Sequence, residues 1–202
     1  IEDGSNGYSL ATSISRKLAK EAVAAKVNGK LVDLSHELKE SDQVEIITVH
    51  SEEGIEIIRH STAHVMAQAV KRIYGNVKLA IGPTVKNGFY YDFDLDTPLT
   101  HGDIEKIEEE MNKIINEDLK FKRKDVSREE ALKLMSEKGE DYKVQLINDL
   151  DESENISLYE QGDFTDLCRG PHIPSTKFIK AFKLTSVAGA YWRGSEKNKM
   201  LQ

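Results

Sequence analysis

Two short stretches constrain this chain more than any other feature. His60-Ser61-Thr62-Ala63-His64 and Asp166-Leu167-Cys168-Arg169-Gly170-Pro171-His172 each set two imidazole or thiol groups four positions apart. About a hundred residues lie between them. Groups so distant in sequence act together only if a folded domain closes the intervening chain. Positions four apart share a helix face, so His60 and His64 are neighbours if that stretch is helical. Pro171 disfavours helix at Gly170 and puts Cys168 and His172 on a turn. Brought together, the pairs supply three imidazoles, a thiol and the Asp166 carboxylate, a set suited to handling water or a metal.

The rest of the chain offers the elements to do this. Residues 1–50 read as a small α+β unit. Asp3-Gly4 and Asn6-Gly7 are turn dipeptides. Leu10, Ile14 and Leu18 recur at helical spacing and predict a helix over 11–20. Asn28-Gly29 between two short β-type runs is a strong hairpin signal, because both turn positions need positive φ. Val44 to Val49 reads as a further strand. This order suggests a β-grasp, ubiquitin-like module. The chain opens at Ile1 with no methionine, so a trimmed start is expected and a first strand stays open.

Ser51-Glu52-Glu53 has a capping hydroxyl followed by acids, and predicts a helix from Glu52 to Tyr74 stopped by Gly75. Ile55, Ile58, Thr62, Val65, Met66, Ala69 and Ile73 share one stripe. His60 and His64 fall nearly opposite it, where they meet solvent or a cleft. Val77–Ile81 and Phe89–Phe93 read as strands. Thr100 to Asp103 resembles a capping box. The helix after it turns Ile104, Ile107, Met111, Ile114, Ile115 and Leu119 inward. A strand over 121–126 and an amphipathic helix from Ser127 follow. Segments 156–159, 164–167 and 181–187 then complete an antiparallel set. Residues 51–202 are thereby read as a second, α+β domain.

Composition excludes several classes. With 39% hydrophobic and 31% charged residues the balance is that of a folded soluble domain. No apolar run reaches the roughly 20 residues of a membrane span. One cysteine, Cys168, forms no internal disulfide, which favours a reducing, cytoplasmic setting. The net charge is −7, but from Cys168 to Gln202 seven basic residues face one acid. That asymmetry marks either a surface for a polyanion or a lysine-rich solvated face.

Three readings of the two pairs compete. His60, His64, Cys168 and His172 suit tetrahedral zinc. Cys168 with a histidine suits nucleophilic catalysis, although no oxyanion-hole signature accompanies it. Positioned water with a histidine base needs neither metal nor nucleophile.

At this point the motifs carry a resemblance. The two stretches above, together with Ala80-Ile-Gly-Pro83, Gly88-Phe-Tyr-Tyr-Asp92, the run from Gln161 to Asp166 and Gly189-Ala-Tyr-Trp-Arg-Gly194, closely resemble bacterial threonyl-tRNA synthetases. The resemblance covers essentially the whole chain. It implies a TGS β-grasp domain over 1–50 and an α+β editing domain over 51–202. It also implies a class II catalytic core beyond the chain, holding the ATP site, the structural zinc and a homodimer interface. The implied task is hydrolysis of seryl-tRNA at its 3′-terminal adenosine, because one methyl gives a synthetic site only about 10–200-fold discrimination. The implied catalytic residues are His60, His64, Lys143, Asp166, Cys168 and His172. Gly82, Tyr91 and Arg169 are implied to bind substrate. The partner is the tRNA acceptor end, with no membrane. The threonyl kind implies a site without metal, whereas its alanyl relatives bind zinc at this pattern. A free-standing zinc-dependent deacylase and a non-enzymatic tRNA-binding module remain as other readings.

Overall fold

A computed structural model describes residues 4–202. Asp3 of the expected first turn lies outside the described residues; Gly4 is in a turn with φ +81°. The expected helix over 11–20 is two helices, α1 (Gly7–Ile14) and α2 (Arg16–Glu21). Ser15 divides them. It is extended, with φ −165° and ψ 149°, and its hydroxyl accepts the Leu18 N–H as the cap of α2. A capping serine competes well with helix continuation, which the spacing of the apolar residues does not reveal.

Strands β1 (Ala22–Val27), β2 (Lys30–Asp33) and β3 (Val44–Thr48) form an antiparallel sheet in the order β2-β1-β3. The hairpin lies where the sequence puts it, with Asn28 and Gly29 at φ 50° and 82°. Helix α3 (Glu52–Tyr74) also has the expected bounds, with the Ser51 hydroxyl accepting the Gly54 N–H and Gly75 ending it. A Cβ at Gly54 would lie 1.9 Å from the Thr48 carbonyl oxygen. Only glycine lets the first turn of α3 sit so close to the end of β3.

The faces of α3 differ from the expected stripe. Ile55 and Ile73 are 40% and 36% exposed, while every residue from Ser61 to Val70 is buried. The helix is enclosed on all sides along its middle, so no solvent face exists there. Ser61 and Thr62 tolerate this burial because their hydroxyls donate to the carbonyls of Ile57 and Ile58 (2.8 and 2.7 Å).

Where two strands were expected over 77–93 there are four short ones. β4 (Lys78–Leu79) pairs with β7 (Phe93–Asp94), and β5 (Thr84–Val85) with β6 (Gly88–Phe89). Helix α4 (His101–Asn116) follows, with the reciprocal Thr100–Asp103 cap. Then come β8 (Phe121–Val126), α5 (Arg128–Glu137), α6 (Asp141–Asp149), β9 (Ile156–Gln161) and β10 (Phe164–Leu167). The antiparallel sheet runs β10-β9-β8. Residues 181–187 add no strand to it. Glu108 of α4 accepts from the Lys183 ammonium and the Leu184 N–H (both 2.7 Å), so that segment is held to the helix instead. The sequence pattern has no counterpart for α6. A hairpin of β11 (Ala190–Tyr191) and β12 (Met200–Leu201) closes the chain.

The largest apolar cluster is continuous across both halves. Val23, Ala24 and Ile47 of the first sheet share it with α3, α4, Phe164 and Ile173. No helix is long and apolar enough to cross a membrane among the described residues.

Candidate active site

Helix α3 and the turn after β10 meet. The ligand atoms of His60, His64, Cys168 and His172 all lie within 4.8 Å of one another. Cys168 Sγ is 3.2 Å from His60 Nε2 and 3.4 Å from His172 Nε2, and it accepts the Gly170 N–H at 3.3 Å. The Gly170–Pro171 peptide is cis and Gly170 has φ +67°. A Cβ there would fall 1.9 Å from the Tyr159 hydroxyl, so the turn fits only with glycine.

His172 is 1% exposed. Its ring stacks on Phe121 (4.8 Å, 8° between planes) and meets Tyr159 edge-on at 4.5 Å. Although it stands on a turn, the histidine is a core residue: Phe121 of β8 and Tyr159 of β9 close over it. The Ser61 hydroxyl lies against the ring at Nδ1 and favours one tautomer. Its one proton goes to the Ile57 carbonyl, so toward His172 Nδ1, at 2.9 Å, it accepts. With this donor pattern the proton belongs on Nδ1 and the Nε2 lone pair faces the cluster. Burial holds this imidazole well below its ordinary pKa, with His64 and His60 adding to the effect.

His64 is 2% exposed, and burial lowers its pKa to about 3 despite Asp166 nearby. Its Nε2 is 3.8 Å from Asp166 Oδ2, and its Nδ1 is buried without a partner. His60 is partly exposed; burial lowers its pKa, with Asp166 pulling the other way and Lys143 reinforcing the drop. Burial pushes the Cys168 thiol up to about 12, so it stays a thiol near neutrality. A thiolate nucleophile is disfavoured by that environment.

Beside the cluster lies a fully buried polar group. Lys143 Nζ is 2.7 Å from Asp166 Oδ1 and donates to the Tyr91 hydroxyl at 2.9 Å. Tyr91 in turn donates to Asp166 Oδ2 at 2.5 Å, and the Leu167 N–H donates to Oδ1 at 2.8 Å. Burial would raise the Asp166 pKa, but Lys143, then His64, outweigh it and keep the carboxylate low. Lys143 is only 3% exposed, because α6, unseen in the sequence, carries it inward. A Cβ on Gly82 would lie 2.2 Å from the Tyr91 ring, so Gly82 seats that ring.

Arg169 does not join this group. Its guanidinium pairs with Glu154 and its carbonyl accepts from Arg123 at 2.9 Å. Lys183, Arg193 and Lys199 are likewise paired, with Glu108, Asp149 and Asp94. Four of the seven C-terminal cations are thus neutralised by acids from earlier elements, which weakens that segment as a polyanion surface. Lys120 and Lys122, by contrast, form no ion pair among the described residues. They line a cleft of about 790 Å³ that also touches His172. Ser61, Asp33, Phe121 and Tyr159 are contacts that sequence reasoning missed. Only Ser61 carried a signal, as the residue between the helical histidines.

Comparison with known proteins adds two domain matches. Residues 1–48 match the TGS domain, and residues 156–202 match the threonyl and alanyl tRNA synthetase second additional domain. Among curated proteins, the threonine–tRNA ligase of Desulforamulus reducens is 59% identical over 98% of this chain. Those of Caldanaerobacter subterraneus and Staphylococcus aureus are 58% and 55% identical over all of it. The chain spans 31% of the length of each of these relatives.

Proposed function

We propose that the chain is the N-terminal region of a bacterial threonyl-tRNA synthetase, a TGS domain with an editing domain, and that it hydrolyses seryl-tRNA at the terminal adenosine ester. The observation that most supports the reading is the meeting of both histidine pairs beside the buried Lys143–Asp166–Tyr91 group.

In this reading water attacks the ester carbonyl carbon and gives its proton to His60, a neutral and partly accessible base. Lys143 faces the negative charge that develops on the carbonyl oxygen. The intermediate collapses, the ribose oxygen leaves with the proton that His60 took, and serine is released. Asp166 has both oxygens engaged and serves to hold Lys143 and Tyr91 rather than the substrate amine. His172, with its Nε2 lone pair turned inward, orients water or the seryl hydroxyl. Tyr91, seated on Gly82, closes the pocket against threonine's extra methyl. His64 and Cys168 shape the wall. We place the two domains on either side of residue 50. The further expectations of cytoplasmic location, a dimer formed through other regions of the full-length enzyme, and no aminoacylation by this region belong to the same reading.

The proposed site works without metal. A zinc reading is favoured by one observation: four donors within 4.8 Å, with His64 Nδ1 buried and unpartnered. The residues fit such an ion: three of His60, His64, Cys168 and His172 would hold it and leave the fourth position to a water, which zinc would acidify. Metal analysis and zinc titration of the purified chain decide between the two.

The test of function is deacylation of seryl- and threonyl-tRNA by this chain. Hydrolysis of the seryl ester alone is expected, falling about 10²–10⁴-fold in His60→Ala. Equal hydrolysis of both esters, or an unaffected variant, would count against the reading.

A further inference from the structure

The turn that carries His172 is anchored from outside its own half of the molecule. Asp33 ends β2, in the N-terminal sheet. Its Oδ1 accepts the His172 backbone N–H at 2.9 Å, and its Oδ2 accepts the Tyr159 O–H at 2.7 Å. Tyr159 packs edge-on against the His172 ring, and its hydroxyl fills the space over Gly170. One carboxylate thus fixes both the backbone entering the histidine and the aromatic wall beside it. From the other side, Ser61 of α3 holds the ring at Nδ1 and accepts the Ile173 N–H at 3.2 Å. His172 is spanned between the two.

We propose that Asp33 is a positioning residue of the hydrolytic site, so that the N-terminal module completes the site rather than only adjoining it. The effect on activity rests on the function proposed above; the placement of His172 does not. Asparagine at 33 keeps one acceptor and replaces the other with a donor, so it satisfies one of the two bonds. Alanine satisfies neither and frees the turn. A displacement of about 1 Å in a site of this kind costs roughly 10²-fold in rate.

The experiment uses the whole chain. Long-range ¹H–¹⁵N spectra of the imidazoles should show His172 as a single Nδ1–H tautomer in the wild type. In Asp33→Ala that signature should broaden or mix, while those of the distant His50 and His101 stay put. Seryl-ester hydrolysis should lose about 10–100-fold in kcat with KM within about twofold, and Asp33→Asn should fall between the two. Asp33→Ala should add little to His172→Ala, because both would act through one ring. An unchanged His172 signature with unchanged kcat overturns the proposal. So does a loss confined to KM, which would make Asp33 a tRNA contact. If Asp33→Ala does not fold, Tyr159→Phe, which leaves Asp33 one donor, takes its place: a mixed His172 tautomer with lowered kcat supports the proposal, and an unchanged signature with unchanged kcat overturns it. An inactive wild type would refute the proposed function, while the His172 spectra would still decide the placement.

Discussion

His60, His64 and His172 are each pushed below the ordinary imidazole range, chiefly by burial. Such a group takes its proton in the unfolded chain first. Between the two pKa values the unfolded state holds more protons, so stability falls as pH falls. For His64 that window runs from 6.5 down to about 3, and for the others it opens below 6.5. Asp166 is lowered, so its contribution is present above 3.8 and is lost as pH drops further, in the same sense. Urea midpoints should therefore decline steadily below pH 6.5, and His64→Asn should flatten the slope by about 1.4 kcal/mol per pH unit. The acid limb of seryl-ester hydrolysis should likewise lie below 6.5, because His60 stays a free base there. Lys143 carries a separate prediction. Lys143→Met leaves the Asp166 charge buried without its ammonium and should cost about 3–5 kcal/mol in urea denaturation. Adding Asp166→Asn should recover much of that stability without restoring activity, which separates the folding role of the pair from its chemical one.

At the level of elements, what could be read was what local chemistry decides. The bounds of α3 follow from Ser51 and Gly75, and the first hairpin follows from Asn28-Gly29. What could not be read was set by neighbours far away in sequence. The stripe assigned to α3 assumed one buried face, but the fold wraps the helix completely from Ser61 to Val70. Helix α6 has no capping side chain at Glu140, which turns inward to accept the Leu79 N–H at 2.8 Å. That use of a would-be cap explains the missed helix and why no local pattern showed Lys143 turned inward. The two histidine pairs were legible as a site; Asp33, Phe121 and Tyr159 were not, since no local pattern links them to it. Helix α3 reaches its place only because Gly54 lies against Thr48. Gly54→Ala should push α3 off β3 and cost about 1–3 kcal/mol, read as a lowered urea midpoint. An unchanged midpoint would show that this close approach is easily relaxed.

Across the whole molecule, the matched TGS segment and the rest share one apolar cluster through Val23, Ala24 and Ile47. Shared burial couples their unfolding. Far-UV circular dichroism and the fluorescence of Trp192, which lies buried against Tyr142 at the opposite end of the chain, should therefore report the same single thermal transition. Two separated transitions would show that each half stands alone. The continuous cluster also bears on protein engineering. The place near residue 50 where a sequence match ends is no seam for recombination. A chimera that borrows its first fifty residues from a distant homologue inherits a foreign half of this interior. It would need compensating changes in α3 before it matched either parent in yield or heat tolerance.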